Sequence, residues 1–377
     1  MEQARFLSIN NLENVSQLFS VFPFTKCDSG DILPMKGFTK FHEREVNPMA
    51  EKKSAPTMKD VAREAGVSLG TVSKVVNGIP VGKEYKDKVE AAIGKLEYRI
   101  NSYAKGLKSN QTYTVAVMVP NLISPFFAKL VDAINRSLSA RQYRMLFYAT
   151  DYDPEQEQEL VMLAEQQKVD GIIVLSYNPK LKVSEDVPLV SIDRYFGVQI
   201  PCVSSDNYGG GWLAAQKLVE NGCRNLAFLR IGSRLTNEPN KRKDGFINAC
   251  EALDVPYTMK IVDDYTPYAA FEDFLREHFH DGKLDFDGIF CVTDSLAHQI
   301  VVTLQAMGVR VPEDVQIIGF DGVRHFGDLE YTCSTIVQPL EDIAATCVDM
   351  VLERRESKVA SLVCLPVSYA YGGTTKA

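Results

Sequence analysis

Behind Thr57, the chain places Val61, Ala62 and Ala65 at helical spacing, and Gly66 stands where a C-terminal stop belongs. Thr57-Met-Lys-Asp60 reads as a capping-box-like start, with an acid three residues into the first turn. Ser68 then predicts the N-cap of a second helix, whose Val72, Val75 and Val76 face inward, with Asn77-Gly78 ending it. A third helix is expected from about Lys83 to Tyr98, with Tyr85, Val89, Ala92, Ile93 and Leu96 on one face. Two short helices around a Gly-containing turn, closed by a third, describe a helix-turn-helix.

From Thr112 to about Ile318, apolar runs alternate with amphipathic stretches. Strands are predicted at 114–120, 143–149, 171–176, 188–193, 225–231, 259–264, 288–293 and 315–320. Helices are predicted at 125–141, 154–168, 207–221, 241–253, 269–280 and 295–307. Near-continuous hydrophobic strands separated by helices imply parallel sheets covered on both faces. The expected fold class is α/β, with two Rossmann-like subdomains preceded by the all-α headpiece.

Residues 1–55 have no sustained periodicity and hold turn-formers such as Cys27-Asp28-Ser29-Gly30-Asp31 and Asn47-Pro48. Met49 opens a stretch that reads like a protein start, so the first 48 residues are expected to be an upstream extension of the reading frame or a mobile arm, with a small interaction segment as the alternative. The N-terminus, with Glu2 and scattered polar residues, lacks a basic start and an apolar run, and no stretch approaches a membrane span. A cytoplasmic location is therefore expected. The 8 cysteines form no CxxC pair, which suits reduced, buried thiols rather than disulfides or zinc. Among 5 histidines, His278 and His280 alone have metal-ligand spacing, and a solvated helix end explains that pair better than a metal does. No metal and no cofactor are expected.

The net charge of −8 conceals an asymmetry. Residues 56–110 carry 10 Lys/Arg against 6 Asp/Glu, whereas residues 111–377 carry 24 against 36. A basic module on an acidic body is the pattern expected of a protein that meets phosphate with one small domain.

In the second helix, Ser68, Thr71, Ser73 and Asn77 are short hydrogen-bonding side chains suited to phosphate oxygens. Lys74 can reach phosphate or a guanine edge, Leu69 can touch a thymine methyl, and Gly70 brings no side chain. Spacing alone leaves a capped surface helix as an equal reading. The order Thr57-Met-Lys-Asp-Val-Ala-Arg-Glu-Ala-Gly-Val-Ser-Leu-Gly-Thr-Val-Ser-Lys-Val-Val-Asn77 resembles the headpiece signature of the LacI/GalR family of bacterial repressors. The resemblance continues through Val89–Tyr98, Asn101 and Ala104–Lys108 and covers about residues 56–372.

That resemblance implies domains at 56–100 (headpiece), 101–110 (hinge helix) and 111–377 (an effector-binding and dimerisation core of the periplasmic-binding-protein type). The chain would cross between its subdomains near Ser205, Val337 and Leu365. Nine residues from Asn101 to Ser109 are too few for a stable free helix, so DNA must help order the hinge. Leu107 corresponds to a leucine wedge pushed between base pairs, while Gly106 departs from the commoner helix-former. The DNA-binding set it implies is Thr57, Ser68, Leu69, Gly70, Thr71, Ser73, Lys74, Asn77, Asn101, Ala104, Leu107 and Lys108.

In the core, Asn121–Phe127, Ser191–Arg194, Ser204–Asn207, Arg242–Phe246, Thr293-Asp294 and Gly319–Gly322 are similar to the family's effector-binding patterns. The implied ligand set is Phe126, Phe127, Asp193, Arg194, Arg242, Tyr265, Asp294 and Asp321. Acids and arginines beside aromatic faces suit a sugar ring. Each alone could be an N-cap or a surface charge. Thr293 stands where Asn is usual and puts the ligand class in doubt. A carbohydrate effector is expected, with a nucleobase or a protein co-effector as alternatives, together with operator DNA and a homodimer built through helix 125–141. A transport receptor disagrees with the absent signal peptide and the basic headpiece. An enzyme disagrees with the absence of G-x-S-x-G, a P-loop, G-x-G-x-x-G or paired carboxylates, and Gly209-Gly-Gly-Trp212 lacks the Walker lysine.

Overall fold

The computed structural model describes residues 56–76, 78–98, 111–195, 200–232, 237–263, 268–325, 330–353 and 362–376. The N-terminal segment 1–55, the hinge with Asn101, Ala104, Leu107 and Lys108, and also Asn77 and Tyr265 lie outside the described residues. The chain divides into two compact units, Met1–Arg99 and Ile100–Ala377.

The first unit holds α1 (Met58–Ala65), α2 (Leu69–Val76) and α3 (Lys83–Lys95). At its start, the Thr57 backbone N–H and hydroxyl both donate to the Asp60 carboxylate, at 2.9 and 2.7 Å. These donors hold the Asp60 carboxyl below its ordinary value. Gly66 closes α1 at φ +64°, in the left-handed region that glycine enters without a Cβ penalty. Ser68 Oγ accepts from the Thr71 N–H at 3.1 Å and so caps α2. Val61, Val72 and Val89 are fully buried, and each such side chain contributes about 1.5–3 kcal/mol. Val75, Val76, Ile93 and Leu96 pack around them. Tyr85 departs from its expected inward place. It is 52% exposed because its ring lies back along Gly82 in the first turn of α3.

The second unit contains two six-stranded sheets. The first runs β13-β5-β4-β3-β1-β2 and is wholly parallel. Its strands are β1 (Thr114–Val119), β2 (Arg144–Ala149), β3 (Gly171–Val174), β4 (Leu189–Ile192), β5 (Cys202–Ser205) and β13 (Leu362–Leu365). The second runs β14-β12-β11-β10-β6-β7, parallel except for the antiparallel β14 at its edge. Its strands are β6 (Leu226–Ile231), β7 (Tyr257–Val262), β10 (Gly288–Cys291), β11 (Gln316–Asp321), β12 (Thr335–Val337) and β14 (Ser368–Ala370). The chain passes between the sheets after Ser205, after Val337 and after Leu365.

Helices α4 (Pro125–Ala140) and α5 (Pro154–Gln166) belong to the first subdomain. Helices α6 (Asn207–Glu220), α7 (Lys241–Ala252), α8 (Ala269–Glu277) and α9 (Asp294–Ala306) cover the second sheet. The chain then returns as α10 (Leu340–Leu352), whose Ile343, Ala344, Cys347 and Val348 complete the core beside α4. Six of the seven described cysteines are buried and free, and Cys364 is exposed.

The predicted helix 269–280 stops at Glu277. Phe279–His280 instead pairs with Lys283–Leu284 in a short antiparallel ladder, β8 and β9. His278 Nδ1 lies 3.0 Å and His280 Nε2 3.7 Å from the same Asp285 carboxylate oxygen. No cluster of metal ligands occurs among the described residues, and no helix among them is long and apolar enough to cross a membrane.

Candidate effector site between the two sheets

Parallel strands of each sheet end on a common cavity of about 270 Å³. Tyr177 follows β3, Asp193 and Arg194 follow β4, Gly232 follows β6, Thr293 follows β10, and Asp321 ends β11. This is where α/β sheets bind ligands, because side chains and loop backbones converge beyond the strand C-termini. Phe126 and Phe127, in the first turn of α4, add aromatic surface. A wider groove of about 780 Å³ lies between α5 and residues 178–184. It is lined by Pro154, Met162, Val183 and surface Glu, Gln and Lys chains of one subdomain, with no buried charged group among them.

Arg242 is the best-held group. Close packing of α6 on α7 puts it there: a Cβ on Gly211 would stand 2.0 Å from the Arg242 carbonyl, and one on Gly245 2.0 Å from the Tyr208 carbonyl. Its Nε donates to Asn207 Oδ1 at 2.7 Å and its Nη1 to the Val292 carbonyl at 2.7 Å. The guanidinium stacks 3.5 Å from the centre of the Phe320 ring and lies 3.8 Å from Asp321. Asn207 is fixed in turn, donating to Ser204 Oγ and the Ser205 carbonyl. Burial pushes the Arg242 proton affinity down while Asp321 and Asp193 oppose that shift.

Asp321 is 7% exposed and accepts from Gln338 Nε2 at 2.8 Å. Burial pushes its carboxyl up to about 8, with Arg242 opposing and Asp294 and Asp193 adding to the rise. Asp193 accepts from Ser204 Oγ at 2.5 Å. The backbone φ is +59° at Asp193 and +132° at Asp321. Strain of about 1–3 kcal/mol at such positions is tolerated where the surroundings fix them, and it concentrates at functional sites. Arg194 lies 4.6 Å over the Tyr177 ring.

The cavity thus brings together Phe126, Phe127, Asp193, Arg194, Arg242 and Asp321. Asp294 departs from the expectation. It is 1% exposed and does not line the cavity; its carboxylate accepts from the Val323 N–H and Thr335 Oγ1, both at 2.6 Å. It ties α9 to β12 as an internal strut, because the N-cap at Thr293 turns the next side chain inward. Burial raises its carboxyl against those donors. Sequence reasoning missed Tyr152, Tyr177, Arg230 and Asn237, all of which line the cavity. Arg230 carried a signal: a cation closing the apolar run of β6.

A helix-turn-helix unit ahead of a two-sheet binding core defines a class of protein, the DNA-binding regulator with a ligand-binding domain. Residues 57–101 match the family described as bacterial regulatory proteins, lacI family. Residues 112–371 match the periplasmic binding proteins and sugar binding domain of the LacI family. The sucrose operon repressor of Pediococcus pentosaceus is 32% identical over 329 residues, which span 85% of this chain and 99% of that one. Among solved structures, a periplasmic binding protein/LacI transcriptional regulator from Alkaliphilus metalliredigens, complexed with D-xylulofuranose, is 27% identical. It superposes with a TM-score of 0.61 over 70% of this chain and 100% of that one. The lac repressor dimer bound to operator and the anti-inducer ONPF shares the fold at a TM-score of 0.73 and 23% identity, covering 85% and 99% of the two chains. The chain belongs to the lacI family of bacterial regulatory proteins. It is a DNA-binding transcription regulator whose core binds a ligand.

Proposed function

We propose that this protein is a cytoplasmic, homodimeric repressor whose operator affinity is set by a small sugar held in the cavity between the two sheets, and that it is not an enzyme. The observation that carries this reading is the composition of the cavity wall. Tyr177, Asp193 and Arg194 come from the first subdomain and Arg242, Thr293 and Asp321 from the second, so one ligand bridges both. A bridging ligand favours one relative orientation of the subdomains and moves DNA binding by its differential affinity for the two orientations. Acids and arginines meet hydroxyls, and Phe126 and Phe127 offer an apolar face to the ring. The similarity to a regulator that holds D-xylulofuranose and to a sucrose operon repressor supports the sugar class.

On DNA, the exposed Ser68, Leu69, Gly70 and Lys74 of the headpiece would face the major groove, with Thr71 and Ser73 half-buried beside them and Thr57 exposed at the start of α1. Asn77, Asn101, Ala104 and Lys108 would add backbone and groove contacts, and Leu107 would wedge the minor groove. The test is a thermal-shift and operator-titration series with pentoses, hexoses and their phosphates. A sugar that stabilises the core is expected to change operator affinity; one that binds tightly and leaves it unchanged contradicts the reading.

A further inference from the structure

Arg194 differs from the other charged groups of the cavity in how little holds it. Its guanidinium lines the cavity and is 8% exposed, yet it makes a single hydrogen bond to protein, from Nη1 to the Asp193 carbonyl at 3.3 Å. Its Nε is buried with no acceptor. No carboxylate among the described residues lies within 4.0 Å of its nitrogens. The buried Arg242 beside it has two strong acceptors and a carboxylate at 3.8 Å. A buried guanidinium with unmet donors is costly, and the cost is recovered when an anion completes its shell.

Resting on the reading of this cavity as the effector site, we infer that the effector is a small sugar bearing an anionic oxygen group, a phosphate or a carboxylate, which Arg194 receives. The planar guanidinium fork matches both groups bidentately and is fixed over Tyr177 for that approach. A neutral hydroxyl would take one hydrogen bond and leave the charge unmet. Of the lining acids, Asp321 stands 3.8 Å from Arg242 and Asp193 accepts from Ser204 Oγ, so neither lies within ion-pair distance of Arg194. Tyr152 and Tyr177 stand edge to face 4.8 Å apart on the same wall. The volume of about 270 Å³ lies just below the roughly 300–1,000 Å³ of drug-sized ligand sites, which suits one ring and its substituent.

The experiment is calorimetric titration of the full-length protein with glucose, ribose and fructose, their monophosphates, glucuronate, and inorganic phosphate alone. At least one sugar phosphate or sugar acid is expected to bind about tenfold or more tightly than its neutral parent. Comparison of the phosphates with glucuronate tells which anion is used. The preference should vanish in Arg194→Gln, persist in part in Arg194→Lys, and survive intact in Arg276→Gln on the exposed face of α8. The lysine variant keeps the test open if the glutamine variant fails to fold. A neutral sugar that binds as well as its anionic form, or an anion preference that survives Arg194→Gln, overturns the inference and leaves the sugar-effector reading standing. Tight binding of inorganic phosphate with no gain from the sugar also overturns it. Failure of every compound to bind overturns both.

Discussion

On the second-subdomain wall of the cavity Arg242 is held from every side, by Asn207, the Val292 carbonyl, the Phe320 ring and the nearby Asp321. On the first-subdomain wall Arg194 rests on one aromatic face and one long hydrogen bond to its neighbour. The same side chain therefore serves two ends. Arg242 builds the site and the fold together, since its Nε and Nη1 are both engaged by protein acceptors. Arg194 leaves most of its donors without a protein partner. Burial alone does not separate them, since they are 4% and 8% exposed; the list of partners does.

Removing the locked arginine should have the largest effect. Arg242→Ala leaves Asn207 Oδ1 and the Val292 carbonyl buried without their donor and opens a void against Phe320, and should cost about 2–5 kcal/mol of core stability in chemical denaturation. A loss below about 1 kcal/mol would show that the network is not structural. Next comes the packing that delivers it: Gly211→Ala drives a Cβ into the Arg242 carbonyl and should cost about 1–3 kcal/mol, with the same melting experiment as readout.

Asp321 gives the locked wall a pH signature. Its folded carboxyl sits at about 8 against 3.8 in the free side chain. Between those values the folded state keeps a proton that the unfolded chain has released, so this contribution is present at low pH and lost as pH rises toward 8. Wild type should therefore lose stability relative to Asp321→Asn between about pH 5 and about pH 8, measured by denaturation at both. A difference independent of pH would place the carboxyl at its ordinary value. Arg194→Gln should have the smallest effect, about 1 kcal/mol or less, because little protein holds the side chain. A loss equal to that of Arg242→Ala would erase the contrast between the walls.

How far the sequence reaches follows the same division. Strands such as β1 and β6 were legible because residues 115–119 and 226–229 are unbroken apolar, buried runs. Cys202–Ser205 of β5 holds only two apolar residues and so gives no apolar run, while β12, β13, β14 and α10 lie beyond Ile318, where the alternation of apolar runs and amphipathic stretches ends. Arg242 and Asp321 were legible through short patterns that resemble those of the family. Asp294 was misplaced because a chain pattern fixes where a residue stands and not which way its side chain turns from an N-cap. Tyr152 and Tyr177 were missed because aromatic residues just beyond a strand look like any loop, and only the tertiary fold sets them edge to face.

The claim that this cavity controls DNA binding is tested most directly by closing it without touching either arginine. Ser295 is exposed at the cavity rim in the first turn of α9, and Ser295→Trp would fill the space while leaving the buried network intact. The measurement is a fluorescence titration of an operator selected from random-sequence DNA, at fixed salt, with and without the tightest-binding sugar of the panel. Wild type should shift its operator affinity by about 5–150-fold. Ser295→Trp should keep the ligand-free affinity and lose the shift. A variant that still responds at the wild-type ligand midpoint would place the effector elsewhere and contradict the account.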